Sequence, residues 1–293
     1  MTEPDILALL RPGAALDGVD FSGLDLSGRD FSGIALSRCN FLDCDLSRAV
    51  FKDAVLEAVG LERVSLRQTD FYNAAWRQVT LRAVDFTGAK FTRAYFQRVD
   101  FAANANDWAE VDVAMLACLE CDFSGLTLNK VEGELCFLKN CALAKLTARN
   151  CALPQLIVRD TDCRGLTMQN CRLPLAGFGG VNLVGASFQD CDLSSAHFPG
   201  AILQSTTFQR VTMSKAGCAG ADFSGATIVD ADCCMADFSH AVFAHARLEN
   251  VNLALADGHN VDFSAAQMNR CPQEGMRSTD EARLRAERFS LAA

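Results

Sequence analysis

Residues 18–33 read GVDFSGLDLSGRDFSG, a single unit written three times: Asp, then Phe or Leu, then Ser-Gly. Asp20, Asp25 and Asp30 therefore stand five apart, either as a working set of carboxylates or as the outer face of something repetitive. Stepping by five from Leu16 meets Phe21, Leu26, Phe31, Leu36, Phe41, Leu46, Phe51, Leu56, Leu61, Leu66, Phe71, Trp76, Leu81, Phe86, Phe91, Phe96 and Phe101, all large and apolar. The phase slips by two residues within 102–113, and the pattern resumes from Val113 or Phe123 through Met268. Eighteen of the twenty Phe residues fall on a centre of one phase or the other, which ties the period to a core.

With the centre called i, position i−2 is small or compact, as in Ala49, Ala54, Val59, Val64, Ala221, Ala226 and Ala231. Two side chains in five are apolar and three are mostly polar. That period fits neither the 3.6 of a helix nor the 2 of a strand, so the chain must turn a corner once per unit. Ser22-Gly23, Ser27-Gly28, Thr87-Gly88, Ser124-Gly125 and Pro199-Gly200 put Gly at i+2, where such a turn needs φ > 0. Short extended sides joined by turns close into a four-sided coil of about twenty residues, with i and i−2 inside.

The units VDFSG, CDLSR, TDFYN, VDFTG, ADFSG and VDFSA resemble the pentapeptide repeat family, whose consensus is close to A(D/N)LXX. The resemblance covers about residues 14–271 and implies an all-β fold, a right-handed quadrilateral β-helix. About fifty units make roughly twelve to thirteen coils, each rising ~4.8 Å. The organisation expected is an N-terminal capping helix (1–13), a first phase of repeats (14–101), a phase break or loop (102–112), a second phase (113–271) and a C-terminal helix (272–293). Open solenoid ends expose core and need plugs. EPDILALL (3–10) reads as a short amphipathic helix, and Ser278 to Glu281 as a capping box opening the helix EARLRAERF. Related proteins dimerise through such a helix, which implies a homodimer through Leu284 and Phe289. Trp108 lies in the break, where a loop is a candidate for partner contact.

Net charge −9 and pI near 5.0 argue against direct nucleic-acid binding, which rests on Lys and Arg displacing counterions. The acidic N-terminus MTEPDILALL lacks the basic region of a signal peptide, and no apolar run approaches the roughly 18 residues that span a bilayer. The expectation is a cytoplasmic protein with no membrane contact and reduced thiols. Thirteen of the fourteen cysteines fall on inward positions, including Cys118 and Cys121 of the one C-x-x-C, and Cys234 points outward. They read as small hydrophobes, with Cys234 the thiol expected to react first.

No G-x-S-x-G, phosphate-cradling loop or H-E-x-x-H is present, so no enzyme, cofactor or metal site is expected. His240 and His259, with Asp237 and Asp257 beside them, read as a solvated face, with an adventitious metal patch as the lesser alternative. Residues 62–98 carry seven basic side chains (Arg63, Arg67, Arg77, Arg82, Lys90, Arg93, Arg98) against three acidic, a balance of +4. Residues 185–265 carry nine acidic, among them Asp190, Asp192, Asp222, Asp230, Asp232 and Asp237, against three basic, a balance of −6. Both bands are candidate partner-binding surfaces. The inward and outward assignment expects Phe188→Asp to unfold the chain and Asp192→Ala to change little.

The leading reading is a noncatalytic interaction scaffold. The run LLRPGAALDGVDFSG is similar to the opening of pentapeptide-repeat proteins encoded with bacterial type VI secretion systems, which implies an adaptor or effector-loading role with a secretion effector or spike component as partner. Other members imply the alternative, an acidic DNA mimic that occupies the DNA site of gyrase, as in quinolone resistance.

Overall fold

The structure, a computed structural model, describes residues 8–11, 13–104 and 107–290, without the side chains of 289 and 290. The chain divides into two units, Met1–Ile157 and Val158–Ala293. Each is a parallel β-solenoid, and the chain winds about thirteen turns in all. No described helix is long and apolar enough to cross a membrane.

In the first unit the three-residue strands Ala15–Asp17, Ala35–Ser37, Val55–Glu57, Ala75–Arg77 and Tyr95–Gln97 pair in parallel, with Leu16 on Leu36, Leu36 on Leu56, Leu56 on Trp76 and Trp76 on Phe96. In the second, Thr167–Gln169, Ser187–Gln189, Thr207–Gln209, Thr227–Val229, Arg247–Glu249 and Gln267–Asn269 form one such ladder. A twenty-residue step thus returns each side chain to the same side of the coil. The strands stay short because every i+2 residue turns the chain. Thirty-eight non-glycine residues there take φ of 49–61°, a left-handed conformation that ordinarily favours Gly or Asn. Gly is therefore the natural occupant, but the coil imposes the corner on Arg, Gln, Leu and Met as well.

The centres fill the interior. Phe31, Phe51, Phe71 and Phe91 stack at centroid spacings of 4.4, 5.0 and 5.1 Å, and in the second unit Phe223, Phe243 and Phe263 stack at 4.6 and 5.3 Å. The spacing is that of adjacent strands, so each ring lies flat on the next. Each buried Phe contributes about 1.5–3 kcal/mol. Twelve of the cysteines are buried, and several at i−2 also donate to a carbonyl of the preceding turn: Cys44 Sγ to Phe21 at 3.0 Å and Cys136 Sγ to Val113 at 2.9 Å. Thr69 does the same to Leu46 at 2.9 Å, which is how a hydroxyl sits there fully buried. Cys271, expected inward, is half-buried like Cys234, because it lies in the last turn.

The phase slip is narrower than expected. Phe96 pairs with Cys118, Lys90 with Asp112 and Asp100 with Asp122, so one turn holds twenty-two residues. Trp108 already pairs with Leu128, and the second register begins there rather than at Val113. Trp108 is 2% exposed and packs among Phe86, Phe91, Phe101 and Phe123. It is a core centre, and its place on a partner-binding loop is corrected. Asn104, buried beside the extra residues, bonds the Val84 backbone: its Oδ1 accepts from the Val84 N–H at 2.7 Å and its Nδ2 donates to the Val84 carbonyl at 3.0 Å.

The ends differ as well. The expected N-terminal helix falls largely on residues 1–7, outside the described residues, with residues 8 and 9 helical. The last turn runs past Pro272 to Arg277, which bridges to Asp257. The C-terminal helix, Glu281–Ser290, is capped by Asp280 rather than Ser278. Asp280 Oδ1 accepts from the N–H groups of Ala282 and Arg283 at 2.9 and 3.0 Å.

Candidate interaction surfaces

The outward aspartates have a structural task. Most Asp and Asn residues at i−1 accept the backbone N–H of i+1, among them Asp20 from Ser22, Asp25 from Ser27, Asp30 from Ser32, Asp192 from Ser194, Asp222 from Ser224 and Asp237 from Ser239, at 2.8–3.1 Å. These Asx-type bonds steady the turn that follows. Hydrogen bonds from the side chain and N–H of the following Ser hold the carboxyls of Asp20, Asp25 and Asp30 below their ordinary range. Burial pushes the Asp222 carboxyl up, yet the Ser224 hydrogen bonds outweigh it and leave the group lowered.

The arginines of the basic band do not converge. Arg63 is paired with Asp43 at 2.6 Å and with Glu62, Arg67 with Asp85 at 2.9 Å, Arg82 with Glu62 at 3.7 Å, and Arg98 with Glu120 at 2.6 Å. Arg93 lies over the Tyr72 ring at 5.9 Å, and Arg77, exposed at i+1, makes no ion pair among the described residues. In the second unit Arg210 bonds Asp190 at 2.6 Å, and Asp230 receives Asn250 at 2.8 Å. Asp192 and Asp232 share one column with Thr212 between them, and Asp237 bridges directly to Asp257.

His240 and His259 do come together, ring centroids 5.2 Å apart, but with Glu287 of the terminal helix as the third group rather than on a solvated face. Glu287 Oε2 lies 3.1 Å from His240 Nε2 and 3.3 Å from His259 Nε2. The backbone N–H of Asp280 donates to His259 Nδ1 at 3.0 Å. The His259 ring proton must therefore sit on Nε2, where it faces Glu287. A metal at that nitrogen would need the ring stripped of its last proton, so this trio reads as a clasp for the helix. Arg283, 2.8 Å from Glu287, and the two histidines hold the Glu287 carboxyl below its ordinary range, the Arg283 hydrogen bond contributing most.

A concavity interrupts the first unit at Gly133. Gly133 occupies an inward centre, and a Cβ there would lie 2.5 Å from the Val113 carbonyl carbon. With no side chain to hold it out, the wall sinks against Val113 and leaves a groove of about 590 Å3, bordered by Glu110, Asp112, Lys130, Glu132, Glu134 and Pro154.

Two family models match the chain: the pentapeptide repeat region model over residues 14–91, and the pentapeptide repeats model (8 copies) over overlapping segments from 176 to 271. Together they cover more than half of it. The chain belongs to the pentapeptide repeat family. Among solved structures, this pentapeptide-repeat protein is similar to HetL, a pentapeptide repeat protein involved in heterocyst differentiation regulation from the cyanobacterium Nostoc sp. Strain PCC 7120. That match has 19% identity over 92% of this chain and 94% of that one, with a TM-score of 0.27. It is also similar to QnrB1, a plasmid-mediated fluoroquinolone resistance protein, at 18% identity over 73% of this chain and 100% of that one, with a TM-score of 0.30. No curated protein matches the chain.

In this pentapeptide-repeat protein Leu284, an expected dimer contact, is 8% exposed and largely covered within its own chain. The side chain of Phe289, the other expected dimer contact, lies outside the described residues. The groove at Gly133 was missed in the sequence, although VEGEL breaks the rule of a large apolar centre.

Proposed function

We propose that this pentapeptide-repeat protein is a noncatalytic scaffold that acts in the cytoplasm by binding another protein through its outer faces. The observation that carries the reading is the division of labour within each unit. Positions i and i−2 are consumed by the core, and the i−1 aspartates by the turns they steady. The remaining outward side chains at i+1 and i+2 stand in columns about 4.8 Å apart, a regular display suited to recognising an extended surface. The partner class we favour is a secretion effector or spike component of a type VI system, in an adaptor role. Cross-linking the tagged full chain in its source bacterium, followed by mass spectrometry, tests this. A reproducible protein partner of that class is expected. Capture of none, or turnover of a small-molecule substrate by the pure protein, overturns the reading.

The acidic balance of the second unit favours one other reading, mimicry of DNA toward gyrase. Asp190 paired to Arg210 reduces the free negative charge available for it. Inhibition or protection of gyrase supercoiling at micromolar protein would support that reading, and no effect would remove it.

A further inference from the structure

We infer that the groove at Gly133 is the docking site of an extended, Lys- or Arg-bearing segment of a partner protein, an inference that rests on the scaffold reading and gives it a location. Among the described residues two inward centres lack a side chain, Gly133 and Gly258. At Gly258 the Met276 side chain takes the space, its Cε 2.5 Å from where a Cβ would stand. At Gly133 it is mainly backbone that moves in, the Val113 carbonyl carbon at 2.5 Å and the Ala114 nitrogen at 2.6 Å from where a Cβ would stand, with Val113 Cγ2 at 2.8 Å.

The ladder survives the displacement. Glu132 donates its N–H to Val111 at 3.0 Å, Gly133 to Ala152 at 2.9 Å and Leu135 to Pro154 at 3.2 Å, so the dent is a formed surface and not a frayed turn. The centres flanking it in the same turn, Leu128 and Leu138, are half-buried where most leucine centres are buried. The floor combines Val111, Ala114, Gly133, Ala152 and Pro154. The next corner carries exposed Met115 and Leu135, at 39% and 46%.

The rim decides the occupant. Glu110, Asp112, Glu132 and Glu134 oppose the single cation Lys130, which is already 3.1 Å from Glu110. Asp112 is engaged by the Ala114 N–H and the Thr92 hydroxyl. Glu132 and Glu134 are exposed and make no ion pair among the described residues. A Lys or Arg stem lies along apolar surface while its head reaches a carboxylate, which is the combination this groove presents. Opposite charge across the contact also steers encounter and sets register. The strand edges are already paired to neighbouring turns, so recognition rests on side chains and not on an added strand.

The test measures binding of a fluorescein-labelled peptide, GLRVKLRG, to the full chain by anisotropy at physiological salt, beside the same peptide with its three basic residues changed to Gln. Glu132→Gln/Glu134→Gln removes the unpaired carboxylates, and Ala152→Trp fills the groove from an outward position. Asp160→Asn/Glu274→Gln removes two exposed charges elsewhere. Saturable binding of the basic peptide is expected, weakened at least about tenfold by either groove variant and less than about twofold by the control, with melting temperatures unchanged. Equal weakening by the control, no effect of either groove variant, or no saturable binding overturns the docking site. If the groove variants still capture the partner of the wild-type chain, the groove fails while the scaffold reading stands; if the wild type captures none, the scaffold reading fails first.

Discussion

At Asp192 the carboxylate accepts both the N–H and the hydroxyl of Ser194, at 3.0 and 2.6 Å, so Asp192→Ala strips a turn of its cap. The expected cost is about 0.5–1.5 kcal/mol, while Asp192→Asn keeps an acceptor and should be nearly neutral; urea unfolding of the two variants separates them. The sequence alone suggested little change, because it shows which side Asp192 faces but not the bond it makes there. Phe188, fully buried, cannot take Asp, since an unpaired buried carboxylate costs several kcal/mol. Asn104→Ala orphans the Val84 N–H and carbonyl together, and an unsatisfied buried group costs about 1–3 kcal/mol. The lowered carboxyls of Asp20, Asp25 and Asp30 add stability above their unfolded value of about 3.9 and lose it as pH falls through their folded values. Replacing all three by Asn should therefore lower the melting temperature at pH 7 and shallow its fall between about pH 4 and pH 2, so that variant and wild type converge at low pH.

Two irregular elements, the twenty-two-residue turn and the terminal helix, carry information that the repeat does not. Trp76 and Trp108 are both buried, so a Trp76→Phe variant, with Trp108 as its one indole, should show blue-shifted emission and weak acrylamide quenching. Strong quenching would return Trp108 to an exposed loop. At the other end, Leu284 and the Glu287 clasp fasten the helix to the last turns. Leu284→Glu is expected to lower the melting temperature by several degrees, with no change of oligomeric state in light scattering. A loss of dimer without loss of stability would instead make the helix an interface between copies. Because Glu287 is lowered in the folded state, its contribution is present above its unfolded pKa of about 4.3 and fades as pH falls through the folded value.

Across the whole chain, what could be read from sequence follows from one-dimensional order. A residue's neighbour is the one twenty positions on, so a spacing of five among Phe21, Leu26, Phe31, Leu36 and Phe41 writes the core directly into the text. The features that escaped are those whose partners sit off that grid. Asn104 serves Val84 only because two residues are inserted, Gly133 hides among glycines expected at turns, and Glu287 meets His240 and His259 from outside the repeat. Functional reading suffers most from this, since the summed charge of residues 62–98 concealed arginines already matched to Asp43, Glu62, Asp85 and Glu120. The central claim is that inward positions make the fold and outward ones are left for recognition. A library placing Asp at every position, scored for soluble abundance, tests it most directly. Intolerance should recur every five residues from Leu16 to Phe101, shift by two, and restart at Trp108; a tolerant Trp108, or intolerance without that period, would contradict it.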